Sequence, residues 1–126
     1  MYVKLFLGAV AVLFALFGAV ALANPIGMAA SLGVEVGGAN GAYELRGIYG
    51  GVSLAAAALC AGGAFRSSLQ GPALWFLIVY MGGYVFARAL ALLLGPAPTS
   101  DYISFIAFEV IVLAGAILSL RARAPR

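Results

Sequence analysis

The chain reads as an all-α polytopic membrane protein, a four-helix transmembrane bundle with both termini on the cytoplasmic side. Composition is the first reason: of 126 residues 65% are hydrophobic and 9% charged, with a mean hydropathy of +1.13, against roughly 45–50% apolar and about 25% charged in a soluble domain. The apolar residues fall in continuous runs instead of alternating with polar ones, which excludes a barrel and leaves helices to satisfy the backbone in lipid. The runs also meet the roughly 20 residues that a membrane helix requires. A chain this short makes one domain, residues 1–126.

The first span is expected at about 3–23. Its start at Met1 to Lys4 and the Ala21-Leu22-Ala23 before Asn24 also resemble a signal peptide with its cleavage site. The apolar run is longer than the usual signal core of about 7–15 residues, so retention as a span is the expectation. A polar, glycine-rich connection, Asn24 to Ala42, leads to a second span at about 43–65. A tight turn from Arg66 to Pro72 opens the third, at about 72–94, where Pro72 suits the first helical turn because its missing N–H would have no partner there. A second tight turn, Gly95 to Asp101, opens the fourth at about 102–120, with Ser100 or Asp101 as its cap.

Lys4, Arg66, Arg121, Arg123 and Arg126 all fall on the N-terminus, the second connection and the C-terminus. The positive-inside rule makes that face cytoplasmic. Glu35, Glu44 and Asp101 fall on the opposite face, with Arg46 the basic residue near it. Such asymmetry disfavours insertion in both orientations. Trp75, Tyr43 and Tyr102 fit interfacial aromatic anchors.

Arg88 and Glu109 lie inside the third and fourth spans, where an ionisable side chain is costly enough to mark a functional site. Counted inward from the outer ends, Arg88 is roughly 9 Å deep and Glu109 roughly 10–11 Å, at 1.5 Å per residue. A short turn makes the two helices antiparallel neighbours, so an Arg88–Glu109 ion pair is expected. Tyr80 and Tyr84 precede Arg88 at i−8 and i−4 on the same face, and Glu44, Arg46 and Tyr49 reach about the same level from the second span. Gly47, Gly50, Gly51, Gly82 and Gly83 are candidate close-packing positions, Gly47 and Gly51 in small-xxx-small spacing.

Two readings of this cluster stand beside one another. In the first it is structural, a neutralised pair fixing helix register. In the second it is a pocket open to the outer face in which arginines hold a small anionic or lipid-like ligand, since a guanidinium grips carboxylate or phosphate bidentately. A proton-carrying Glu109 is disfavoured because pairing with Arg88 holds its charge. Cys60 alone permits neither an intramolecular disulfide nor dithiol chemistry and reads as packing. The chain has no histidine, and no nucleophile–base pair, phosphate loop or metal-ligand cluster stands in the sequence, so no enzyme, cofactor, metal or nucleic-acid partner is expected. The expected partners are the lipid bilayer, the small anionic or lipid-like molecule, and a homo-oligomer or larger membrane complex; an oligomeric small transporter or channel is the alternative.

Asn24-Pro25, then Asn40 through Glu44-x-Arg46-x-x-Tyr49-Gly50-Gly51, then Gly83, Arg88 and Glu109, resemble the bacterial membrane family catalogued as domain of unknown function 4345. The likeness extends over nearly the whole chain. It implies a four-helix inner-membrane protein and carries no mechanism with it.

Overall fold

The computed structural model describes residues 1–123, so Arg126, counted above with the basic face, lies outside the described residues. Among the described residues five helices form: α1 (Tyr2–Ala23), the short α2 (Pro25–Ser31), α3 (Gly38–Phe65), α4 (Ser67–Leu94) and α5 (Ser100–Arg123). Among the described residues four of them, α1, α3, α4 and α5, are long and apolar enough to cross a membrane.

The four long helices pack up-down-up-down. Leu7 and Gly63 approach one another at one end of α1 and α3, and Leu22 and Gly50 at the other. Gly82 faces Leu113, and Gly71 lies near Arg123, across α4 and α5. α1 closes the ring by meeting α5 through Phe6 against Gly115 and Phe17 against Phe105. The core holds Leu7, Val10, Ala11 and Phe14 from α1, Ala56, Ala57 and Cys60 from α3, Leu74, Leu77 and Met81 from α4, and Val112 and Ala116 from α5. Cys60 is fully buried there. One end of the bundle carries Lys4, Arg66, Arg121 and Arg123, and the other carries Glu35, Glu44, Arg46 and Asp101.

Three boundaries differ from the sequence expectation. The third span begins at Ser67, not Pro72, and the expected seven-residue turn contracts to an extended Arg66 (φ −120°, ψ 118°). Pro72 therefore sits in the second turn, opposite the carbonyl of Ser68 near the helix start, where the backbone accommodates the missing bond. Trp75 lies more than two turns into α4 as a result, further from the helix end than a boundary anchor would sit. Second, the long connection is largely helical. Asn24 accepts from Gly27 N–H at 3.0 Å and caps α2; α2 then ends on Gly33 at φ +71°, with Val34 N–H bonding Ala29 O and Gly33 N–H bonding Ala30 O. This double bond pattern is a Schellman stop and needs the left-handed residue that glycine supplies. Third, α5 takes its first-turn bonds from the Thr99 carbonyl, at 3.1 Å to Tyr102 N and 3.2 Å to Ile103 N. Ser100 and Asp101 lie inside the helix instead of preceding it, with Asp101 in the first turn and Arg121 and Arg123 in the last, each complementing the helix dipole.

Within α3, residues Arg46–Gly51 wind as a π-helical turn. Such turns carry one residue more than the α-helix requires and recur at functional sites. The sequence here is Arg-Gly-Ile-Tyr-Gly-Gly, the segment that resembles the family motif.

Candidate functional site

Arg88 and Glu109 face one another from α4 and α5. Arg88 Nε donates to Glu109 Oε2 at 3.3 Å and Nη2 donates to Oε1 at 3.0 Å, the parallel two-bond geometry of a guanidinium on a carboxylate. Burial is uneven: the Glu109 side chain is 2% exposed and that of Arg88 25%. The guanidinium carbon lies 5.4 Å from the Tyr84 ring centre and 5.0 Å from that of Tyr102, so the cation also rests on two aromatic faces. Tyr84 meets Tyr80 through their hydroxyls at 3.4 Å and ring edge to ring face at 5.1 Å.

The ion pair divides two cavities. On the Glu109 side, an inner cavity of about 220 Å³ lies among all four long helices. Its wall is aromatic: Phe14 and Phe17 from α1, Tyr49 from α3, Tyr80 and Tyr84 from α4, Phe105 and Phe108 from α5. Ser53 and Glu109 add buried polar atoms. Leu13 and Ile48, the exposed members of the lining, form its rim. On the other side, an outer cavity of about 140 Å³ is bounded by Arg88, Ala91 and Leu92 of α4, Pro96 and Pro98 of the turn, and Tyr102 and Ile106 of α5.

The residues singled out from the sequence divide accordingly. Tyr49, Tyr84, Arg88 and Glu109 gather around the pair and the inner cavity. Glu44 and Arg46 do not join them. Arg46 is exposed, and its Nε donates to the Leu22 carbonyl at 3.1 Å, satisfying one of the acceptors left open at the end of α1. Glu44 is exposed, and no side-chain partner is seen for it among the described residues. The π turn separates the two fates: it sets Arg46 on the surface against α1 and Tyr49 within the bundle, where its ring packs with Phe17 and Phe105.

Of the five glycines read as packing positions, Gly50 alone serves close approach within the bundle: an added Cβ would come 2.6 Å from Leu22 Cδ2. A Cβ at Gly47 or Gly83 would meet open space, at Gly82 ordinary contact with Leu113, and at Gly51 its own helix at 3.8 Å. Other tight positions include Gly18, 3.0 Å from the Gly50 carbonyl, Gly63 against Leu7, and Gly115 against Phe6.

Tyr102, Ser53 and the four phenylalanines of the inner cavity went unread in the sequence as site residues. A signal existed for some of them. Tyr102, Phe105 and Glu109 repeat at helical spacing on one face of the fourth span, so an aromatic stripe leading to the carboxylate was legible there.

Fold and composition define the class first: an all-helical chain with four helices long and apolar enough to cross a membrane, hence a multi-pass membrane protein. The chain belongs to the family described as Domain of unknown function (DUF4345), which it matches over residues 2–120. No curated protein and no solved structure matches it.

Proposed function

We propose that this is a non-enzymatic protein of a bacterial inner membrane, N-in and C-in, that binds one lipid-like molecule in the inner cavity. The observation that carries the reading is a buried carboxylate, Glu109, in the wall of a largely aromatic and apolar space of about 220 Å³. A carboxylate offers about four acceptor directions, and Arg88 takes two of them. A ligand with a hydroxyl or amine end would use another, while the rings cover its apolar body.

Size narrows the ligand. A cavity of about 150 Å³ accepts benzene, so this one suits on the order of nine non-hydrogen atoms, a substituted ring or the end of a longer amphiphile. Charge narrows it too. The inner cavity presents the carboxylate, with Arg88 on the far side, so a neutral or donor-bearing molecule is favoured there over an anion. The orientation rests on the basic residues at one end of the bundle and the acidic residues at the other.

The test is equilibrium binding of an alkylphenol to the protein in lipid nanodiscs, compared with the matching alkylbenzene. Saturable binding that favours the phenol, and that disappears when the cavity is filled by Ser53→Phe or the milder Ser53→Leu, supports the reading. Equal binding by wild type and both filled variants, or no preference for the hydroxyl, refutes it.

A further inference from the structure

The guanidinium of Arg88 carries five N–H donors, of which Glu109 receives one from Nε and one from Nη2. A carboxylate held side-on by Nε and one Nη2 proton leaves three N–H groups, and of these one on Nη1 and one on Nη2 form the end-on edge of the planar fork, which Glu109 does not occupy. Among the described residues Glu109 is the one acceptor within hydrogen-bond distance of Arg88, the Tyr102 hydroxyl lies beside the guanidinium, and 25% of the side chain stays exposed. Arg88 lines the outer cavity and Glu109 does not, whereas Glu109 lines the inner cavity and Arg88 does not. Arg88 is therefore the member of the pair that opens to the outer cavity.

The rest of that cavity suits a small oxygen-bearing anion. Arg88 supplies its charge, Tyr102 brings a hydroxyl-bearing ring that already holds the guanidinium at 5.0 Å, and Ala91, Leu92, Pro96, Pro98 and Ile106 form an apolar surround that places no carboxylate beside it. Asp101 is exposed and not part of the lining. No Arg88 nitrogen is among the fully buried polar atoms without a partner, so these donors stay accessible, and an anion on the open edge would complete their bonding.

We propose that the outer cavity is an oxyanion site, in which the Nη1–Nη2 edge of Arg88 binds a carboxylate or phosphate group bidentately while the adjacent Nε–Nη2 edge remains on Glu109. The group is either a free anion or the phosphate of a lipid headgroup, since Arg88 lies about 9 Å from the helix end and the cavity extends from it to Pro96 and Pro98 in the turn. This site is distinct from the inner cavity and does not depend on what binds there.

The experiment follows the arginine Nε–H resonances of the ¹⁵N-arginine-labelled protein, with Arg88 assigned by its loss in the double variant Arg88→Met/Glu109→Leu. Phosphate is titrated against chloride at matched ionic strength in phosphate-free maltoside micelles, and a parallel sample receives phosphatidylglycerol. A saturable shift of Arg88 with phosphate identifies a free-anion site; a shift with phosphatidylglycerol alone identifies a headgroup site. Ala91→Phe occupies the outer cavity without touching the ion pair, and it is expected to weaken the response at least tenfold while the Arg88–Glu109 bonds persist. Unchanged Arg88 resonances in both titrations overturn the proposal, as does a response that Ala91→Phe leaves intact.

Discussion

Replacing Arg88 by methionine should destabilise the protein more than replacing Glu109 by methionine, although each removes the same two hydrogen bonds. The asymmetry follows from burial. Without Arg88, Glu109 is a carboxylate at 2% exposure with no remaining partner; breaking a buried pair from one side costs about 3–5 kcal/mol. Without Glu109, Arg88 keeps its 25% exposure, its two tyrosine faces and its opening to the outer cavity, so the penalty is that of a partly solvated donor, about 1–3 kcal/mol. Arg88→Met/Glu109→Met, which leaves no charge behind, should return to within about 1–2 kcal/mol of wild type. Reversible unfolding in mixed micelles measures all four proteins, and the double-mutant cycle isolates the pair. Polar groups in a membrane also find partners in the unfolded state, which lowers every absolute value. The order of the two single variants and the recovery in the double survive that correction. Equal losses in the singles, or a double variant as unstable as their sum, would show that the pair is not the closed, unevenly buried unit described.

Gly18→Ala should cost about 1–3 kcal/mol, because its Cβ meets the Gly50 carbonyl at 3.0 Å and a backbone oxygen cannot step aside; Gly83→Ala, facing open space, should be neutral or gain up to about 1 kcal/mol from helix propensity. The same unfolding assay checks both. Arg46→Ala removes the donor on the Leu22 carbonyl and should lower stability by about 1 kcal/mol, with faster amide exchange confined to the end of α1 and the start of α2. Cys60, fully buried, should resist maleimide in the folded protein and react at the rate of unfolding, so prompt labelling under native conditions would contradict the packing described.

Much of this architecture was legible because lipid imposes so few choices. Once the apolar runs are long and the connections short, antiparallel neighbours follow, and two opposite charges at matching depth must meet. Arg88 and Glu109 do so. Where the sequence misled, the cause was local. Proline at position 72 marks a helix start by propensity, but Ser67 to Gly71 are also tolerated in a helix and only Arg66 is extended. Glycine pairs attract attention by spacing, yet whether a glycine permits close approach depends on what stands opposite, and Gly47 and Gly83 face nothing. Tyr102 fits an interfacial anchor by position, and its packing on Arg88 depends on how far the two helices rotate, which hydropathy does not encode.

The assignment of Glu44 and Arg46 to the polar centre failed for a reason that bears on the site itself. Depth counting assumes 1.5 Å and 100° per residue throughout, and α3 departs from that at Arg46–Gly51. The extra residue of a π turn changes which side chains of the segment before it face the bundle relative to those after it. Arg46 thus reaches the end of α1 while Tyr49, one turn on, completes the inner cavity. In a regular α-helix Arg46 and Tyr49, at i and i+3, would share one face. Three glycines in six residues, Gly47, Gly50 and Gly51, favour that departure because they weaken the regular α-helix that competes with it. The glycines of the Glu-x-Arg-x-x-Tyr-Gly-Gly segment are then best understood as setting the winding that brings an aromatic ring to the cavity, with Gly50 also admitting α1.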